Sequence, residues 1–261
     1  MKNLLNIFID YIRSFLFKTY IWEKISFFKA HRAFKKSYKK FKKLSSENRF
    51  TLDNKDLYPC LYDNTESTGF DRHYLYHPSW AARVLSRTQP NLHVDISSTL
   101  HFSAIVSAFI PVQFYDFRPA DVRLANLESK AADLLSLPFA DNSIDSLSCM
   151  HVVEHIGLGR YGDPLDSDGD LKAMAELNRV VAINGNLLFV VPVGKPKIQF
   201  NAHRVYSYEQ IISYFSGMNL IEFALISEHP ADGGLIFNAT AEDVAKQEYG
   251  CGCFWFKKEG Y

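Results

Sequence analysis

Two histidines and a glutamate stand within five residues at His151-Val152-Val153-Glu154-His155. An imidazole titrates near pH 6.5 in water, so His151 is a candidate general base. Glu154, three residues on, either orients that imidazole or caps a helix. The same five residues spell H-x-x-E-H, a zinc-binding pattern when both imidazoles share a helical turn and a third ligand lies elsewhere. Here the first histidine is expected to end a strand, so the two need not share a face, and no metal is expected. Cys251-Gly252-Cys253 is a second metal-capable pair, but it has neither C-x-x-C spacing nor a companion ligand cluster. His203 and Arg204 are a further candidate pair, with His203 suited equally to catalysis and to structural hydrogen bonding.

Aspartates recur at the ends of expected strands. Asp95, Asp116 and Asp133 each close an apolar run, and Asp116 follows Asp95 by 21 residues. An acid at about that spacing suits the hydroxyls of a cofactor ribose. Asp133 is placed to meet an adenine amino group. In an open α/β sheet, ligands bind beyond the carboxyl ends of the strands where strand order reverses. That rule gathers Asp95, Ser97, Asp116, Asp133, Leu134 and Met150 as cofactor-side candidates. Arg160, Tyr161 and Asp163, in an acidic loop after His151, are substrate-side candidates together with Arg204. Arg160 and Tyr161 suit phosphate or sugar hydroxyls. A plain surface loop is the alternative for this segment.

The elements that must carry these residues alternate from Leu92 onward. Strands are expected at 92–96, 112–115, up to about Ala132, at 144–150 and at 186–191, the last stopped by Pro192. Ser98 or Thr99 caps the helix after the first strand. Asp170 is expected to cap a helix over 171–181, which Asn184-Gly185 then ends. A helix over 207–215 and strands at 220–227, 235–239 and 253–256 complete the domain. A short helix at 81–86 leads into it. Three segments result: a helical arm over 1–44, a connector over 45–79 that includes the histidine- and tyrosine-rich run 70–78, and an α/β domain over 80–261.

The arm differs from the rest in charge. The chain of 261 residues has no net charge, yet residues 1–44 carry twelve basic and two acidic side chains, leaving a net −10 for the remainder. Leu4, Ile7, Phe8, Tyr11, Ile12 and Phe15 recur at helical spacing, and aromatic residues continue among lysines as far as Phe41. An aromatic stripe on a basic helix suits docking on an anionic lipid surface; packing on the protein's own domain is the alternative. The acidic remainder argues against nucleic acid as a partner. Asp10 and Arg13 interrupt the first apolar run, which reads as neither a secretory signal nor a span. The four cysteines fit a reducing compartment. A cytoplasmic protein, peripheral at the inner face of a membrane, is expected.

Residues 141–147 leading into His151-Val152-Val153-Glu154-His155, with Leu177-Asn178-Arg179-Val180 and Asn184-Gly185-Asn186-Leu187-Leu188, resemble the fourth-strand to fifth-strand region of class I methyltransferases. More narrowly, residues 70–256 resemble an uncharacterised bacterial and nematode family known as domain of unknown function 268. The residues carrying this are Ser148-Cys149-Met150-His151, Gly157-Leu158-Gly159-Arg160-Tyr161-Gly162-Asp163, Phe200-Asn201-Ala202-His203-Arg204 and Tyr249-Gly250-Cys251-Gly252-Cys253. The resemblance implies a Rossmann-like class I methyltransferase fold, mostly parallel with helices on both faces, and S-adenosylmethionine as cofactor. It implies a small-molecule or lipid-linked glycan substrate in surface-polysaccharide synthesis, with His151, Glu154 and His203 catalytic. The sequence departs from the pattern at Asp95-Ile96-Ser97-Ser98-Thr99, where a glycine-rich turn is usual. Side chains there crowd a close-lying cofactor and disfavour positive φ. A non-catalytic binding protein on the same fold, recruited to a membrane assembly, is the alternative.

Overall fold

The computed structural model describes the backbone of residues 2–44 and 50–260, with side chains from Ile21 onward. The chain divides into two compact units, Met1–Gly69 and Phe70–Tyr261. In the first, the expected arm is one long helix, α1 (Lys2–Leu44). The side chains of Leu4, Ile7, Phe8, Tyr11, Ile12 and Phe15 lie outside the described residues. Tyr38 donates its hydroxyl to Asn54 Oδ1 at 3.1 Å, fastening the chain after the helix back onto it.

The second unit runs α2 (Arg72–Thr88), β1 (His93–Ile96), α3 (Leu100–Val106), β2 (Val112–Asp116), β3 (Leu127–Ala131) and β4 (Ile144–Met150). It continues with α4 (Gly169–Val180), β5 (Val181–Val193), β6 (Lys197–Gln199), β7 (His203–Val205), α5 (Tyr208–Tyr214) and β8 (Met218–Ile226). Then come β9 (Leu235–Phe237), α6 (Ala241–Ala245) and β10 (Gly250–Lys258). The main sheet has the order β3-β2-β1-β4-β5-β10-β8-β9. From β3 to β5 all pairings are parallel, whereas β10 is antiparallel to both β5 and β8. This is the expected Rossmann-like, mostly parallel sheet. Strand order reverses between β1 and β4, which places the ligand crevice above their carboxyl ends.

Alternation along the strands splits the core in two. Leu187, Phe189 and Val191 of β5 pack with Leu177, Ile211 and Phe254 on one face. Leu188 and Val190 pack with Trp80, Val84, Phe102 and Val106 on the other. Helices therefore cover both faces, and each fully buried Leu or Phe contributes on the order of 1.5–3 kcal/mol.

Four expectations change. Helix α2 begins at Arg72, nine residues before the expected start at 81, and takes in most of the run placed in the connector. Pro78 lies inside it, a residue that removes one helical hydrogen bond. Burial overrides that penalty: Trp80 is wholly inaccessible, and its indole N–H donates to Glu222 Oε1 at 2.8 Å. Helix α4 begins at Gly169 after Asp168, so Asp170 is not its cap. Asp170 is instead buried and accepts the Tyr206 hydroxyl at 2.9 Å. The third change is at Asn184-Gly185, which lies within β5 rather than ending the helix, Asn184 having a φ of +64°. Pro192 does not stop that strand, because its carbonyl accepts the Tyr206 N–H at 3.1 Å and pairing with Cys251 continues.

Candidate functional site

A cleft of about 500 Å³ opens above the carboxyl ends of β1 and β4. One wall is the turn Ser97-Ser98-Thr99, and the other holds His151, Glu154 and His203, with Arg160 and Tyr161 at the rim. The volume falls in the range of small-molecule sites. The turn after β1 has no glycine, yet Ser97 adopts a φ of +55°. Its amide donates to Tyr115 O at 2.7 Å, which holds that conformation in place. Ser98 Oγ accepts the Met150 N–H at 3.1 Å, tying the turn to the end of β4.

His151 directly follows β4, with a φ of +57° that turns the chain away from the sheet. Its Nδ1 lies 2.8 Å from Glu154 Oε1, and its Nε2 is buried without a hydrogen-bond partner. Glu154 is only 1% exposed, carried on the short 3-10 helix Val153–His155, and its Oε2 is likewise unpartnered. His203 begins β7, its ring tilted against Tyr249 at 4.7 Å and its Nε2 unpartnered. Burial is the main cause lowering the His203 pKa below its ordinary value. The three expected catalytic residues therefore meet in one place.

Of the cofactor-side candidates, Ser97 and Met150 line the cleft. Asp95 does not: it is wholly buried, taking the Ser103 hydroxyl at 2.7 Å and a short bond from Ser148. Asp116, at the end of β2, receives the Arg118 N–H at 2.7 Å, and Asp133 receives that of Leu135 at 2.9 Å. Each of these two shapes its own turn outside the cleft lining. Leu134 is a core residue.

The substrate-side candidates also divide. Arg160 donates to Ala202 O at 3.1 Å and lies over the Tyr161 ring, both at the cleft. Asp163 is not poised for substrate. Its carboxylate accepts the amides of Gly157, Gly159 and Tyr161 at 2.8, 3.2 and 3.1 Å, which builds the loop. Those bonds hold its pKa below the usual carboxylate value against the opposing effect of burial. Arg204 is buried beneath the loop, donating to Ile156 O at 2.6 Å and Ser167 O at 3.2 Å. Its guanidinium is spent on backbone carbonyls, which corrects its expected role.

Tyr74, His73, His77 and Tyr249 surround the same imidazoles and were not anticipated as site residues. The His73 ring stacks on those of His151 and Tyr249 at 5.4 and 5.1 Å, and the His77 ring meets His151 at 5.0 Å. The signal was present: His73 and His77 are four apart, one face of a helix, in a run whose polar aromatics are dense. Reading that run as connector concealed it.

Residues 136–243 match the family described as Caenorhabditis protein of unknown function, DUF268, so the family resemblance holds over that stretch. No curated protein matches the chain. Among solved structures, the [4+2]-cyclase SpnF is 16% identical, covering 75% of this chain and 86% of its own, with a TM-score of 0.51. A protein from Bacillus halodurans C-125, provisionally described as a methyltransferase, is 14% identical over 70% of this chain and 99% of its own, with a TM-score of 0.50. At these identities the likeness establishes the fold.

Proposed function

We propose that the chain is an S-adenosylmethionine-dependent methyltransferase-like enzyme whose acceptor is a hydroxyl of a sugar or glycan intermediate of surface-polysaccharide synthesis. The observation that carries this reading is the cleft at the strand-order reversal, with a cofactor-type turn on one wall and unpartnered imidazoles on the other. The turn passes a direct test of fit: Ser97 already takes the left-handed conformation that a glycine would supply there. Ser97, Ser98 and Thr99 would hold the cofactor. When bound, the cofactor supplies an electrophilic methyl group. His203 accepts the acceptor's proton through its unpartnered Nε2. His151 and Glu154 form the polar wall facing the acceptor. Tyr74, Tyr161, Tyr249 and Arg160 present hydroxyl, ring and guanidinium surfaces of the kind that sugar rings and phosphates use. The basic arm brings the enzyme to an anionic membrane surface, where lipid-linked acceptors reside.

Calorimetric titration with S-adenosylmethionine and with S-adenosylhomocysteine tests the cofactor assignment. One saturable site is expected. Absence of binding to both compounds would leave the second reading, a non-catalytic binding protein, which the serine side chains of the turn favour.

A further inference from the structure

We propose that His73, His151 and Cys251 form a mononuclear site for a divalent transition metal of the zinc class. The three come from separate elements: the first turn of α2, the residue after β4 and the second residue of β10. One ligand atom from each lies within 4.8 Å of the other two. Zinc bonds of about 2.0–2.1 Å to nitrogen and 2.3 Å to sulfur place tetrahedral ligand atoms roughly 3.3–3.8 Å apart. Closure by about an ångström therefore completes the site, within reach of two side chains on facing elements.

Two further observations point to a cation. The first is the state of His151. Its Nδ1 is engaged by Glu154 at 2.8 Å, which leaves Nε2 as the ligating atom, and that atom is buried without a partner. A metal-bound histidine typically has this carboxylate behind its other nitrogen, fixing tautomer and orientation. Secondly, Glu154 is a buried carboxylate whose first oxygen faces His151 and, at 3.8 Å, His155, while its second oxygen is unpartnered. A buried anion needs compensating charge, and a dication on the far side of the imidazole supplies it. Ring stacking of His73, His151 and Tyr249 accounts for the packing of the rings, but for neither the orphaned nitrogen nor the buried carboxylate.

The donor set selects the metal class. One thiolate and two imidazoles suit zinc or cobalt, whereas magnesium and calcium require oxygen ligands. Three protein ligands leave a fourth position, and His151, one of the three, also lines the cleft. Glu154 acts through His151 and is a positioning residue. His77 supports the arrangement from behind, its Nδ1 2.7 Å from His73 O. The site stands on this geometry and does not depend on the methyl-transfer reading.

The test uses the full chain. Elemental analysis of protein produced with zinc should find about one zinc per chain, and cobalt substitution should give a thiolate-to-cobalt charge-transfer band. C251S should lose that band, H151Q and H73Q should bind at least 100-fold more weakly, and E154Q should weaken binding by roughly 10- to 100-fold. Absence of zinc and cobalt binding by the folded wild-type chain, or an unchanged band in C251S, would overturn the site. If the variants fail to fold, the wild-type cobalt spectrum decides alone: the thiolate band supports the proposal and its absence refutes it. Cofactor and acceptor are absent from these measurements, so their result and that of the cofactor titration stand apart.

Discussion

Asp95 illustrates how one side chain can look functional and be structural. The first strand does carry an acid next to its last residue, but the carboxyl faces Ser103 and Ser148 inside the protein. Burial pushes its pKa up to about 6, from 3.8, with the serine hydroxyls opposing. A raised carboxyl pKa means that the folded state holds the proton more tightly than the unfolded one. Its stabilising contribution is complete below about pH 4 and is lost as pH rises through 6, a change on the order of 2–3 kcal/mol. His93, also wholly buried, has a pKa lowered to about 3, so its contribution runs oppositely, being lost as pH falls below 6.5. The two slopes oppose each other in the whole-protein profile. The difference between D95N and wild type isolates the first: the variant should gain on wild type by 2–3 kcal/mol between pH 4 and pH 7.5 in urea melts, and a constant difference would refute the assignment. At Ser97 the prediction is simpler. Its φ of +55° costs a non-glycine residue about 1 kcal/mol, so S97G should raise stability by that amount and S97V should lower it.

Among the elements, most parallel strands were legible as apolar runs punctuated by an acid or a turn former, and β4 matches its expected bounds residue for residue, whereas β3, with Glu128 and Lys130 in it, showed only where it ends. Elements whose local signals conflict with their burial were not. Pro78 argued against a helix that Trp80 and Glu222 nevertheless hold, and Asn184-Gly185 imitated a helix end inside a strand. Arg204 is of the same kind: an arginine beside a histidine reads as a ligand site until the buried carbonyls it serves are known. The loop between the 3-10 helix Val153–His155 and α4 depends on it. Gly157 there has a φ of +78°, and a Cβ would come within 2.1 Å of Asp166 O, so no other residue fits. R204M leaves Asp170, 3.5 Å from the guanidinium, and two or more carbonyls buried without their donor. A loss of about 3–5 kcal/mol is expected. D163N, which touches only the loop's own amides, should cost less and act locally. Hydrogen exchange separates the two, with D163N raising exchange at Gly157, Gly159 and Tyr161 while α4 stays protected; uniform exchange in both variants would refute the local role.

At the scale of the whole molecule, zero net charge is the sum of two large opposite terms, and the consequence is a choice of surface. Between Ile21 and Leu44 stand nine basic residues and one acidic one, with Trp22, Phe28, Phe41 and Leu44 exposed among them. No helix of the described residues is long and apolar enough to cross a membrane. A chain of no net charge has no general attraction to an anionic bilayer. Attraction arises only because lipid charge is felt within a Debye length, about 8 Å at physiological salt, and so senses the segment lying nearest. Each lysine at that range contributes about 1 kcal/mol. The full chain should therefore pellet with vesicles containing phosphatidylserine and not with pure phosphatidylcholine, and 0.5 M salt should release most of it. Replacing Lys39, Lys40, Lys42 and Lys43 together by glutamate should weaken binding by roughly a thousandfold, while the aromatic residues remain in place. Equal pelleting of this variant and the wild type would show that the charges are a solvated face.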